Sequence, residues 1–186
     1  MTLLDNFIER MKQPNTFTML RIAATPGIVV LLMFPNHLCS FLAAILFSIA
    51  AITDFLDGFL ARKRGLTSEL GKVLDPLADK ILVCSSLIML TSLNWIPAWL
   101  VCIIIGREIS VTGLRGIAAE KVDVSASWLG KYKTGFQIAA IIPLMIHYSY
   151  FGIYFHDIGS VLLWIALVFT LWSGVDYFKK FFTAIL

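Results

Sequence analysis

The sequence predicts an all-α integral membrane protein: six transmembrane helices behind a short N-terminal interfacial helix, in one domain over residues 1–186. Three observations carry this. Of the 186 residues, 59% are hydrophobic and the mean hydropathy is +0.85, whereas a soluble domain is roughly 45–50% apolar. Uncharged runs cover Ile22–Thr53, Ile81–Gly106, Thr134–His156 and Ile158–Val175, and roughly 20 apolar residues cross a bilayer as a helix. The Lys and Arg residues collect in a few places along the chain. A soluble core is excluded because too few charged residues remain to clothe a surface.

Taken in order, "MTLLDNFIERMK" sets Leu3, Leu4, Phe7, Ile8 and Met11 at helical spacing among charges, which suits a helix lying on the interface. It is too charged for the apolar region of a signal peptide. The first uncharged run is too long for one span and breaks at "FPNH" (Phe34–His37), giving helices near 17–34 and 38–62. The second breaks at "LNWIP" (Leu93–Pro97), giving 72–93 and 97–118, and the last two runs give 131–150 and 158–182.

With six spans, all 15 Lys and Arg residues fall in or beside the N-terminus, the 2–3 connection, the 4–5 connection or the C-terminus. The connections around Pro35, Asn94 and Tyr150–Asp157 contain none. The positive-inside tendency then makes that charged face cytoplasmic, with both termini inside a multi-pass cell-membrane protein. The acids follow the same division except Asp157. Cys39, Cys84 and Cys102 lie far apart in apolar runs, which reads as buried thiols rather than a disulfide or metal site. His37, His147 and His156 fall toward the outer face, and the five Trp residues read as interfacial anchors or packing groups. No repeat, low-complexity tract or nucleic-acid partner is expected.

The charged stretch with chemical content is "DFLDGFLARKRGLTSELGKVLDPLAD", Asp54–Asp79. Asp54 and Asp57 are three apart, Asp75 and Asp79 four apart, and either spacing sets a carboxylate pair on one helix face. Read as ordinary solvated helix ends, these acids would pair with Arg62, Lys63, Arg64, Lys72 and Lys80. Asp54, however, precedes Arg62 by eight residues, or roughly 12 Å along a helix. A charge at that depth costs about 2.5–3.5 kcal/mol without a partner or water-filled cavity. Gly58, Ala61 and Gly71 strip bulk from the same faces, so a ligand can approach the backbone closely. Carboxylates without neighbouring His or Cys suit a hard cation, Mg²⁺ or Mn²⁺, and four of them favour two ions, the arrangement used in phosphoryl displacement. Arg62, just beyond the acids, suits a phosphate oxygen. The chain has no P-loop and no G-x-S-x-G elbow.

Asp54-x2-Asp57-Gly58-x2-Ala61-Arg62-x8-Gly71-x3-Asp75-x3-Asp79 resembles, without departure, the signature of the CDP-alcohol phosphotransferase family. The resemblance implies a six-helix membrane enzyme, usually a homodimer, that cleaves a CDP-linked lipid or alcohol at its pyrophosphate and releases CMP. It implies that Asp54, Asp57 and Asp75 hold the metals, with Asp79 reaching one and also serving as general base. It places Gly58, Ala61, Arg62, Ser68 and Gly71 around the CDP portion. "DPLAD" by itself reads either as Asp75 capping a helix with Pro76 in its first turn, or, as the family has it, as one continuous kinked helix.

Two further stretches narrow the expectation. "PNTFTMLR" (Pro14–Arg21) resembles the entry of lipid-synthesising members, which brings Asn15 and Thr18 toward the nucleotide. Gly106–Gln137, "GREISVTGLRGIAAEKVDVSASWLGKYKTGFQ", resembles members that join CDP-diacylglycerol to sn-glycerol 3-phosphate. Arg107, Arg115, Lys131 and Lys133 collect at the cytoplasmic ends of the fourth and fifth helices, the correct side for a soluble phosphate dianion. Their bland reading is positive-inside charge, which is preferred for Lys121. Relatives using inositol phosphate, serine or phosphatidylglycerol are the alternative acceptors. The rival of another class is a small ion transporter with intramembrane acids, but transport acids lie nearer mid-membrane, often in repeated halves.

Overall fold

The computed structural model describes residues 14–64, 69–118 and 128–185. Side chains are described throughout these except at 14–17, 54–64, 69–73, 115–118, 128–129, 131 and 184–185. The expected interfacial helix lies outside the described residues. The described residues form six helices: α1 (Pro14–Leu32), α2 (His37–Arg64), α3 (Glu69–Ser92), α4 (Ala98–Ala118), α5 (Trp128–Ile146) and α6 (Phe155–Ile185). Among the described residues the protein is all-helical apart from one two-residue ladder between α5 and α6. The chain divides into two compact units, Met1–Met89 and Leu90–Leu186.

In the first unit, α1 packs against α2. Thr18, Arg21, Ala24, Thr25, Ile28 and Leu32 of α1 are buried, as are Ser40, Ala43, Ala44, Phe47 and Ala50 of α2, each set at the helical i, i+3, i+4, i+7 spacing. Gly27 permits the approach: a Cβ there would sit 3.2 Å from Leu46 Cδ2. The "FPNH" break works as a helix start, because Asn36 Oδ1 accepts from the Cys39 amide at 2.9 Å, an N-cap bond. Hydroxyls within the apolar helices turn back onto their own backbone, as Thr25 Oγ1 does onto the Arg21 carbonyl at 3.0 Å.

In the second unit, α5 and α6 are the most closely packed pair, and α4 lies against α6. Leu163, Ala166, Leu167, Thr170, Ser173 and Tyr177 form the buried stripe of α6. At Gly159 a Cβ would fall 2.6 Å from Leu144 Cγ and 2.8 Å from the Leu144 amide nitrogen. The opposite face of α6 is also apolar, with Val161, Trp164, Val168, Leu171, Trp172 and Val175 exposed. A helix apolar all round belongs inside a large core or in lipid. Phe155–Thr183 is long and apolar enough to cross a membrane, and it alone meets that test among the described residues. Shorter apolar stretches run over Thr18–Leu32, His37–Thr53 and Tyr132–Ile146.

The connections depart from expectation in one place. α5 stops at Ile146 and α6 begins at Phe155, with Ser149 paired to Tyr154 and Tyr150 to Ile153 in an antiparallel ladder. Phe151 (φ 53°) and Gly152 (φ 77°) make its two-residue loop, and two positive φ values match the twist of flanking strands. The α3 terminus closes with Asn94 at φ 57°, its amide on the Thr91 carbonyl at 2.9 Å and the Trp95 amide on the Leu90 carbonyl at 3.0 Å, a Schellman closure. The Trp95 ring stacks on His147 (centroids 3.8 Å apart), and His147 meets His156 edge-on at 4.9 Å. No disulfide joins the cysteines, and they are less buried than expected: Cys39 and Cys84 are partly exposed and Cys102 exposed.

Candidate active site

α3 runs unbroken from Glu69 to Ser92 with Pro76 inside it. Pro76 lacks an N–H, so the Lys72 carbonyl loses its usual helical donor, but the helix continues through the gap. Asp75 is therefore an interior helical residue and not a cap, and Asp79 lies one turn beyond it on the same face. α2 is likewise continuous to Arg64, which sets Asp54 and Asp57 on a shared face.

Asp75 is held from α1. Thr18, buried at 1% exposure, donates its hydroxyl to Asp75 Oδ1. Arg21 Nη2 lies 3.6 Å from the same oxygen, with the Arg21 side chain 1% exposed and that of Asp75 44%. Both contacts converge on Oδ1 and leave Oδ2 without a partner among the described residues. Thr18 was expected at the nucleotide, and here its hydroxyl serves the carboxylate. Arg21 was not singled out from sequence, although a signal exists. It stands three residues after Thr18 on one face of an apolar helix, where a buried guanidinium requires a counter-ion.

Asp54, Asp57, Gly58, Ala61 and Arg62 lie on the α2 backbone, Gly71 on α3 and Asn15 on α1, with side-chain placement outside the described residues; Ser68 lies wholly outside them. The donor set fits a hard divalent cation: every acid of the motif offers carboxylate oxygen, and Asp75 is half-open with one oxygen anchored.

The second unit contains a separate polar cluster. Arg107 Nη1 donates to Glu108 Oε1 at 3.2 Å, and Lys133 Nζ of α5 donates to the same oxygen. Arg107 Nη2 reaches Ser173 Oγ of α6 at 2.9 Å. Two of the four expected acceptor cations are thereby brought together, through a carboxylate that sequence reasoning passed over. Arg115 and Lys131 lie on α4 and α5, with their side chains outside the described residues. The hint for Glu108 was its place next to Arg107 in an otherwise uncharged stretch, but its partner 25 positions away could not be inferred.

Comparison with known proteins bears on what these clusters do. The family model described as CDP-alcohol phosphatidyltransferase matches residues 11–172, a span that includes Asp54, Asp57, Asp75 and Asp79 as well as Arg107, Arg115, Lys131 and Lys133. A Bacillus subtilis (strain 168) protein named CDP-diacylglycerol–glycerol-3-phosphate 3-phosphatidyltransferase is 41% identical over 183 residues, covering 90% of this chain and 93% of its own. Proteins of the same name from Rickettsia bellii (strain RML369-C) and Shigella flexneri serotype 5b (strain 8401) are similar too. The former is 41% identical, with 89% of this chain and 93% of the relative covered. The latter is 35% identical, with 88% and 91% covered.

Proposed function

Because the chain belongs to the CDP-alcohol phosphatidyltransferase family, we propose that it transfers the phosphatidyl group of CDP-diacylglycerol to sn-glycerol 3-phosphate. The products are phosphatidylglycerophosphate and CMP. The observation that carries this reading is the complete aspartate signature, with Asp75 and Asp79 on one unbroken helix and Asp75 braced by Thr18 and Arg21. Relatives bearing the enzyme's name over nearly the whole chain support the acceptor.

In this reading Asp54, Asp57, Asp75 and Asp79 hold divalent metal, and Thr18 and Arg21 keep Asp75 in its ligating rotamer. Mg²⁺ or Mn²⁺, as two ions, would neutralise the pyrophosphate and stabilise the departing CMP. Asp79 accepts the proton of the acceptor hydroxyl as its oxygen bonds to phosphorus and the bond from phosphorus to the CMP oxygen breaks. Gly58, Ala61 and Gly71 open the backbone to CDP, while Asn15, Arg62 and Ser68 offer it hydrogen bonds. Arg107, Arg115, Lys131 and Lys133 take the acceptor phosphate, because phosphate is what separates this acceptor from glycerol.

The six helices are assigned to six spans of the cell membrane, with the active site and both termini cytoplasmic and the enzyme a homodimer among membrane lipids. The all-round apolarity of α6 and the segregation of Lys and Arg support that placement. The test is CMP release by purified enzyme given CDP-diacylglycerol and a panel of alcohols, with and without EDTA. Glycerol 3-phosphate should be the preferred acceptor, and activity should vanish on chelation and return with Mg²⁺ or Mn²⁺. Preference for inositol phosphate or serine overturns the acceptor, and full activity after thorough chelation overturns the metal reading.

A further inference from the structure

Glu108 is an acid set among groups assigned to bind an anion. Its Oε1 receives both Arg107 Nη1 and Lys133 Nζ, and the side chains are 14%, 12% and 5% exposed for Glu108, Arg107 and Lys133. Two buried cations without an acid would repel each other and leave their desolvation uncompensated. With Glu108 between them, the trio carries a net charge of +1 by simple addition of +2 and −1.

The arginine is also fixed from its far side. Nη2 donates to Ser173 Oγ at 2.9 Å, and the Ser173 hydroxyl in turn donates to the Thr170 carbonyl at 3.1 Å. At Gly174 a Cβ would come within 3.3 Å of Arg107 Cγ, so glycine leaves room for the arginine stem against α6. Arg107 Nε is buried with no hydrogen-bond partner among the described residues. A buried guanidinium nitrogen left unmet in this way is costly, and it lies on the α6 side of the arginine, 3.8 Å from where a Gly174 Cβ would sit.

We propose that Glu108 is a positioning residue for the acceptor phosphate, bridging Arg107 and Lys133 so that the two cations are presented as one fixed unit. The inference rests on the reading of Arg107 and Lys133 as acceptor-binding groups. Glu108 itself touches no substrate, since a carboxylate and a phosphate dianion repel each other.

The role predicts a split in the kinetics. Glu108→Ala should raise KM for glycerol 3-phosphate about tenfold, with kcat at saturating acceptor and KM for CDP-diacylglycerol unchanged within about twofold. Glu108→Gln, which keeps an oxygen acceptor of the same shape but removes the compensating charge, should recover only part of the loss, and Glu108→Asp, which keeps the charge on a shorter stem, likewise part of it. In a Lys133→Ala background, Glu108→Ala should add little, because contacting residues that act as a unit are not additive. Ser173→Ala provides a second route, loosening Arg107 without adding bulk, and should raise the same KM severalfold even where Glu108→Ala yields no folded enzyme. The proposal fails if Glu108→Ala shifts kcat or the CDP-diacylglycerol KM as much as the acceptor KM, or if the double variant is additive. Unchanged acceptor KM in Glu108→Ala and Ser173→Ala, with Arg107→Ala and Lys133→Ala impaired, overturns the positioning role alone. Unchanged KM in all four variants overturns the phosphate reading of the cluster as well.

Discussion

Replacing Thr18 with valine isolates one hydroxyl. Thr18 is 1% exposed, and valine preserves its branched shape, so the principal loss is the hydrogen bond to Asp75 Oδ1. A hydrogen bond to a charged group contributes roughly 1.5–3 kcal/mol. Removing a group that orients a metal ligand costs about 10–100-fold in metal affinity, or about 1.4–2.7 kcal/mol, so the two estimates overlap. Part of the bond energy is present with or without metal and cancels from the binding equilibrium. Arg21 Nη2, 3.6 Å from the same oxygen, still restrains the carboxylate. The lower end, about tenfold, is therefore expected. CMP release titrated with Mg²⁺ at saturating substrates should show the half-saturating Mg²⁺ concentration raised about tenfold, with the plateau rate changed far less. The contrasting outcome is an unchanged Mg²⁺ requirement with a raised KM for CDP-diacylglycerol. It would show that the hydroxyl serves the nucleotide and that its bond to Asp75 has no part in metal binding.

Three other expectations follow from separate parts of the molecule. Asp79→Asn should abolish turnover while largely sparing CDP-diacylglycerol binding, whereas Asp57→Asn should weaken metal and nucleotide binding together; equal loss of nucleotide binding in both would make Asp79 a ligand and not the base. Gly159→Ala gains about 1 kcal/mol of helix propensity but forces a Cβ to within 2.8 Å of a backbone nitrogen on α5; overpacking costs about 1–3 kcal/mol, so a lower Tm in detergent is expected, and a raised one would refute that packing. Burial, and secondarily the charge of His156, hold the His147 imidazole below its usual range, so the unfolded chain takes up that proton first. Stability should thus fall as pH drops through and below about 6.5; His147→Gln should lose less Tm than the parent between pH 7.5 and 5.5, and identical losses would contradict the linkage.

Much of the architecture is local, which is why it could be read along the chain. The helical spacing of apolar residues, the breaks at "FPNH" and "LNWIP", and the pairing of Asp75 with Asp79 on one face all depend on neighbours within a turn or two. The family signature is local in the same sense, since it occupies 26 consecutive positions on two successive helices. Pro76 marks the limit of such reasoning: the same five residues allowed a capped start or a kinked interior, and the interior was realised.

Pairings between helices were settled only by tertiary structure. Periodicity says which face a residue occupies but not which neighbour that face meets. Thr18 finds Asp75 across 57 positions, and Lys133 finds Glu108 across 25. Each bond exists because helix packing removes water from a polar side chain, and the exposed cost of an unmet charge then selects the partner. The turn at Phe151–Gly152 has a similar cause. A non-glycine residue at φ 53° is held in a conformation its own preferences disfavour, between helices whose close approach at Gly159 draws the ends of the connection together.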